Sequence, residues 1–319
     1  YCFAEKAEYS KFGSYIGNST TNGPVVNTGF EPAYIMIKNS TATYEWTVYD
    51  NKRSTSNPRD NVLYPNTTGE ENSGETGDID FLSNGFQLRA AAGSINQGGG
   101  TIIYAAFASD ASSAPVLADS FGSKLYTGNG STQSIAGLGF SPNLVWLKER
   151  GQAANHRWLD TVRGATNAIS SSLTAAQFTD ATGLTSFDTD GFTLGANVDY
   201  NNNGGTFVAW NWKANANPTI NTDGTIQSLV SANQAAGFSI VKYTGTGADA
   251  TVGHGLASAP ELLLIKGLVT TNDWAALSAY GSDGDFLQLN GSSGESGAGS
   301  IFGSTFTRPT STVFSIGNT

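Results

Sequence analysis

Residues 126–148 read Tyr126-Thr-Gly128-Asn-Gly-Ser-Thr-Gln-Ser-Ile-Ala-Gly-Leu-Gly139-Phe140-Ser-Pro142-Asn-Leu144-Val-Trp-Leu147-Lys148. A tyrosine leads into a glycine turn, a second turn closes on proline, and an apolar run capped by lysine follows at once. The same order occurs on either side. Tyr15-Ile-Gly17 leads to Gly29-Phe30-Glu31-Pro32 and Ile35-Met36-Ile37-Lys38, and Tyr243-Thr-Gly245 leads to Gly255…Pro260 and Leu262-Leu-Leu-Ile265-Lys266. The Tyr-to-Lys spacings are 23, 22 and 23 residues, so one unit recurs three times along the chain.

The likeness continues downstream. Eight residues beyond each lysine stand Trp46, His156 and Trp274, and twelve beyond it stand Asp50, Asp160 and Ser278. The first two copies share Phe81-Leu-Ser-Asn-Gly85-Phe86 and Phe187-Asp-Thr-Asp-Gly191-Phe192, with a looser counterpart at 306–316. They close on Thr101-Ile-Ile-Tyr-Ala-Ala-Phe107 and Thr206-Phe-Val-Ala-Trp210-Asn-Trp212, whereas the third stops at Ser315-Ile-Gly-Asn-Thr319. Phe3-Ala4-Glu5 matches the end of that closing strand, Phe107-Ala108-Ser109. Either the chain is an excerpt of a longer array, or a strand passes between neighbouring subunits to complete the third unit. No leader-like stretch opens the chain, which fits a mature, trimmed or excerpted sequence.

Apolar residues come in runs of four to eight bounded by Gly, Asn, Asp, Ser and Pro, the mark of strands. Val208, Trp210 and Trp212 alternate with Ala209, Asn211 and Lys213, a half-buried strand pattern. The lysine-capped runs are apolar on both faces, as central strands between two layers are. Only 172–182, with Leu173, Ala176 and Phe178, suggests a short helix. The expected fold is all-β, with three tandem antiparallel β-sandwich units. Residues 1–10 carry a closing strand, 11–110 the first unit, 111–214 the second, and 215–319 a linker or hairpin plus the third.

Composition narrows the function classes. Lys plus Arg number 16 and Asp plus Glu 26, for a net charge of −10, so a basic nucleic-acid-binding module is disfavoured. Cys2 is the single cysteine, which excludes disulfide frameworks and multi-Cys metal sites. No apolar run reaches the roughly 18 residues of a membrane helix.

Glycan hydrolysis needs two convergent carboxylates. Glu70, Glu71, Glu75, Asp78 with Asp80, Asp188 with Asp190, and Asp283 with Asp285 are available, but no pair recurs in all three units. Neither His156 nor His254 lies near a strand-to-helix serine elbow, so a serine triad is not supported. Asp188, Asp190, Asp283 and Asp285 are the calcium candidates, although no complete EF-hand loop exists; the alternative is solvated turn acids. Asp50 with Arg53 and Asp160 with Arg163 are equivalent pairs that either grip a sugar or partner loop or close a strand end. Trp46, Trp274 and His156 beside them either stack on a ligand or pack a core. These seven residues form the candidate ligand site.

The motifs Tyr-Thr-Gly-Asn-Gly-Ser, Gly-Phe-x-Pro, Asp160-Thr-Val-Arg163-Gly-Ala, Phe-Leu-Ser-Asn-Gly-Phe and Val-Ala-Trp-Asn-Trp-Lys together resemble a tandem-repeat domain of virion proteins from tailed phages, especially those of marine bacteria and cyanobacteria. The resemblance spans the chain and is weakest in the third unit. It implies a concanavalin-like β-sandwich on the virion surface, in a tail fibre or capsid decoration, with a host-attachment role, and no catalytic residues are carried over from it. Partners would then be other virion proteins, further copies of the chain and a host-surface glycan. No nucleic acid, membrane insertion or obligatory cofactor is expected. A purely structural filament or decoration subunit is the alternative, and a secreted glycan-degrading enzyme the third reading.

Overall fold

Strand alternation decides which layer each side chain joins. The computed structural model describes residues 1–73, 77–109, 119–215, 217–297 and 301–318. Along Tyr34–Asn39, Ile35 and Ile37 enter a core belonging to the first segment, while Tyr34 and Met36 point the opposite way. Leu144–Glu149 repeats this, with Val145 and Leu147 on one side and Leu144 and Trp146 on the other. Leu262–Ile265 places Leu263 in a third local core and turns Leu262 and Leu264 away from it. The residues turned away all meet in one common core that also takes Phe107, Phe121, Trp210, Trp212 and Phe238.

The chain is thus an all-β, antiparallel sandwich fold. In the first segment the sheet against the common core runs Ser10–Ile16, Thr101–Phe107, Tyr34–Asn39, Thr47–Asp50. In the second it runs Phe121–Thr127, Thr206–Trp212, Leu144–Glu149, Arg157–Asp160. Phe107 lies opposite Ser10 and Tyr34, and Trp212 lies opposite Phe121 and Leu144. Outside each sits a smaller sheet, Val25–Asn27 with Gly85–Leu88 and Ile79–Leu82, and Gln133–Ala136 with Gly191–Leu194 and Leu184–Asp188.

The third segment solves the missing-strand problem within the same chain. Cys2–Phe3 inserts between Phe238–Tyr243 and Leu262–Ile265, and Phe3 lies opposite Phe238 and Leu262. Its place is the one Phe107 and Trp212 hold in the other sheets. Donation between subunits is therefore not needed to complete this sheet. Ala275–Ser278 follows Leu262–Ile265, as Thr47–Asp50 and Arg157–Asp160 follow their neighbours. The stretch before the third segment forms a hairpin of Thr219–Asn221 and Ser228–Asn233, which extends this sheet to eight strands. The outer layer here is Ala250–Gly253 paired with Val313–Ile316.

One expectation fails. Residues 172–182 are turn and irregular chain with the short strand Phe178–Thr179, not a helix. Phe178 instead packs against the local core under the Arg157 guanidinium, 5.2 Å from its ring centre. The helical turns that do form, Gly93–Asn96 and Val198–Asn201, are too short to show a 3.6-residue period.

Glycine is required where strands turn back. Gly85 and Gly191 have φ of +154° and +155°, and a Cβ there would lie 2.0 Å from the Val26 carbonyl oxygen and 1.9 Å from that of Ile135. No side chain fits either position.

Candidate functional site

The seven candidate ligand residues all lie where two segments meet, and they are buried or nearly so. Trp46 is 2% exposed, His156 and Trp274 0%. Each enters the seam by the same route, eight residues past a buried or half-buried lysine, and each reaches a backbone carbonyl of the neighbouring segment. Trp46 Nε1 donates to Gln288 O at 2.9 Å, Trp274 Nε1 to Ser170 O at 2.8 Å, and His156 Nε2 lies 3.1 Å from Tyr64 O. In the second segment a histidine ring nitrogen faces the neighbouring carbonyl where the other two segments present an indole N–H. Burial first, and then the Lys148 charge, push the proton affinity of His156 well below the usual imidazole value. The ring is neutral at pH 7.

Backbone rungs flank these contacts. Tyr44 N donates to Ser292 O, Ala154 N to Thr68 O and Asn272 N to Thr174 O, at 2.9, 2.9 and 3.0 Å. Return bonds run from Glu295 N to Ser40 O, Glu71 N to Arg150 O and Gln177 N to Leu268 O, at 2.7, 2.8 and 2.9 Å. Lys38 Nζ donates to Asn39 O, Tyr44 O and, across the seam, Ser292 O. Lys266 Nζ reaches Thr174 O at 3.1 Å in the same way. Burial lowers the Lys38 and Lys148 ammonium groups to about 8.

The Asp–Arg pairs are clamps on the same seams. Asp50 accepts from the Arg53 backbone N–H at 2.9 Å and from Arg53 Nε at 2.5 Å, and Asp160 binds Arg163 identically at 2.9 and 2.6 Å. The remaining acceptor capacity of each carboxylate takes a donor from the next segment. Trp210 Nε1 donates to Asp50 Oδ2 at 2.9 Å, and the Tyr1 hydroxyl to Asp160 Oδ2 at 2.6 Å. Burial alone would raise Asp50, but the adjacent Arg53 guanidinium and the Trp210 bond outweigh it and hold the carboxyl below its usual range. A buried charge so fully paired is stable where an unpaired one would not be.

Trp210 and Tyr1 each stand two residues before Trp212 and Phe3 on their closing strands. The equivalent residue of the first segment is Ala105, and the residue facing it in the third is Ser278. No clamp forms there. Phe12, Met36, Trp46, Ile103, Tyr104, Ala105, Leu262 and Ser278 instead line a cavity of about 10 Å³, about the space one water occupies.

Of the carboxylates available for hydrolysis, Glu71 closes the ion network of the first–second seam, bonded to Arg53 Nη1 at 3.1 Å and to Arg150 at 3.0 and 2.6 Å. Glu70 is exposed, Asp80 pairs with Arg89 at 2.5 Å, and Asp78 receives the Arg89 backbone N–H on its carbonyl. Glu75 lies outside the described residues. Asp188 accepts from the Ser186 and Thr193 hydroxyls, and Asp190 from the Gly137 and Gly139 N–H groups. Asp283 pairs with Arg308, and Asp285 lies on the strand Asp285–Gln288. Among the described residues no three His, Cys, Asp or Glu side chains come together as a metal site.

Sequence reasoning misses Tyr1, Trp210, Glu71 and Arg150 as seam residues. The signal for the first two is the closing-strand alignment carried two positions back. The last two had none, because their contact joins positions 79 residues apart.

A family model described as a domain of unknown function, DUF7483, matches residues 1–111 and 117–319. No curated protein matches the chain, and neither does any solved structure.

Proposed function

We propose, for a chain that belongs to the DUF7483 family, that it is a non-catalytic structural protein of a phage virion surface, in a tail fibre or a capsid decoration. One observation carries this reading: the seven candidate ligand residues are bonded or packed into the seams that fuse three sheets around one core, and the remaining acids are spread over separate turns and strands. Asp50, Asp160, Arg53, Arg163 and His156 all act there. Such a block resists local opening, which suits a part exposed outside a cell. The motif resemblance supplies the virion context.

All six tryptophans are at most 2% exposed, so sugar stacking on tryptophan does not underlie any host attachment. Attachment would instead use exposed polar turns such as 18–22 and 129–132, each contact weak and multiplied by copy number on a particle. Net charge of −10 limits non-specific adhesion to nucleic acid.

Antibodies raised against the chain test the assignment on purified particles. Gold label on tails or capsids is the expected result. Label confined to the soluble fraction of a lysate contradicts it. A glycan array probed with a multimerised form then separates attachment from a purely structural role, for which no sugar is retained.

A further inference from the structure

The strand Cys2–Phe3 is central to its sheet and yet far in sequence from both neighbours, pairing with Ser239 and Phe238 on one side and Leu263 and Leu262 on the other. Its contacts are specific. Phe3 stacks on Phe238 with ring centres 4.9 Å apart, and the Tyr1 hydroxyl completes the Asp160 clamp. A short hinge, residues 5–8, then leads to Tyr9, which is anchored in the common core, and into Ser10–Ile16 of the first segment. The hinge folds back on itself, with Ser10 N donating to Lys6 O at 2.9 Å, and Glu8 adopts a left-handed φ of +63°. That conformation is costly for a residue with a Cβ and is relieved if the hinge extends. The hinge crosses the seam between the third and first segments, the one where Ala105 and Ser278 leave a cavity in place of a clamp.

We propose that the strand of residues 1–4 exchanges between copies of this chain, one copy's strand entering the slot between Phe238–Tyr243 and Leu262–Ile265 of the next. Every contact of the strand is reproduced in the exchanged form, because slot and strand are the same sequences. The two forms differ in the hinge and the unclamped seam, so concentration sets the balance between them. Slot and strand are different surfaces, so exchange runs head to tail and builds rows rather than only closed pairs. The partner is a second copy of this chain, and the idea stands independently of the virion assignment.

Light scattering on the chain refolded at high concentration is the first test. Species of two or more copies whose share rises with the refolding concentration are expected, and a single-copy species at every concentration overturns the proposal. The Ser239→Cys variant then identifies the contact. Cys2 is the only native cysteine and faces position 239, so one disulfide is possible. Between-chain crosslinks in the multi-copy fraction, with loss of the single-chain band under non-reducing conditions, support exchange. Crosslinks only within chains overturn it, as does a folded variant with no crosslink, since the pairing is identical in both forms.

Discussion

Trp210 and Asp50 show how one donor decides the fate of a buried charge. The carboxylate is 1% exposed and takes its last hydrogen bond from a segment 160 residues away. Trp210→Phe keeps the aromatic bulk but removes the N–H, and should lower the unfolding free energy by about 1–3 kcal/mol in urea titrations. A loss near zero would show that the bond contributes nothing. Ser278→Asp alone is expected to destabilise, because Ala105 offers no donor in the place of Trp210 and the nearby Arg308 guanidinium is already engaged by Asp283 and the Ser278 and Gly281 carbonyls. His156 gives a separate signature. Its folded-state proton affinity is depressed by burial, so the folded ring stays neutral while the unfolded ring gains a proton below pH ~6.5. Stability should therefore fall with acidification from that point, by up to about 1.4 kcal/mol per pH unit for this one group. His254, depressed for the same first reason, adds to the slope. The Asp50 contribution lies in a lower window: it is present above pH ~4 and is lost as pH drops through its depressed folded value. Denaturation of His156→Gln at pH 7, 6 and 5 should show a shallower slope than the parent; an unchanged slope removes His156 from the explanation.

At the scale of strands and turns, local pattern carries most of the information. The lysine-capped runs are legible because two-sided burial demands two-sided apolarity, and Tyr34–Asn39 and Leu144–Glu149 are buried at every position. The Asn84-Gly85 and Asp190-Gly191 turns are legible because few residues accept their backbone angles. Gly191→Ala should cost more than Gly99→Ala, measured as ΔΔG of unfolding: the first Cβ meets the Ile135 carbonyl at 1.9 Å, the second, at φ +75°, meets nothing within 4 Å. The second substitution should cost about 1–2 kcal/mol, the left-handed penalty alone. Equal costs would mean the strand shifts freely to make room. The 172–182 segment misleads because Leu173, Ala176 and Phe178 imitate helical spacing, while its real partners are Leu268 and Asn272 of the third segment, through Gln177 and Thr174.

At the scale of the whole molecule the sequence is silent on the feature that matters most. Repetition in the sequence leads one to expect similar strand orders along the chain. It does not show that the inner faces meet, since Tyr34 touching Trp210 and Trp212 at 5.7 Å leaves no local trace. The burial of Trp46, His156 and Trp274 follows from that meeting, and so the candidate ligand residues become seam residues. The mismatch at residues 1–5 is visible in the sequence, but its resolution, a strand returning to its own chain, depends on the path around the core. Phe3→Ala opens a hole among Phe12, Phe107, Trp212 and Phe238, and a loss of about 3–5 kcal/mol is expected in thermal or chemical unfolding. The most direct measurement is equilibrium unfolding in urea followed by tryptophan fluorescence and far-ultraviolet circular dichroism together. The tryptophans line the common core, and the dichroism reports every sheet. Three segments fused around one core and closed by residues 1–3 should unfold in one transition, with the two signals superimposed. Separate transitions, with dichroism lost in steps while the tryptophans stay buried, would contradict a shared core.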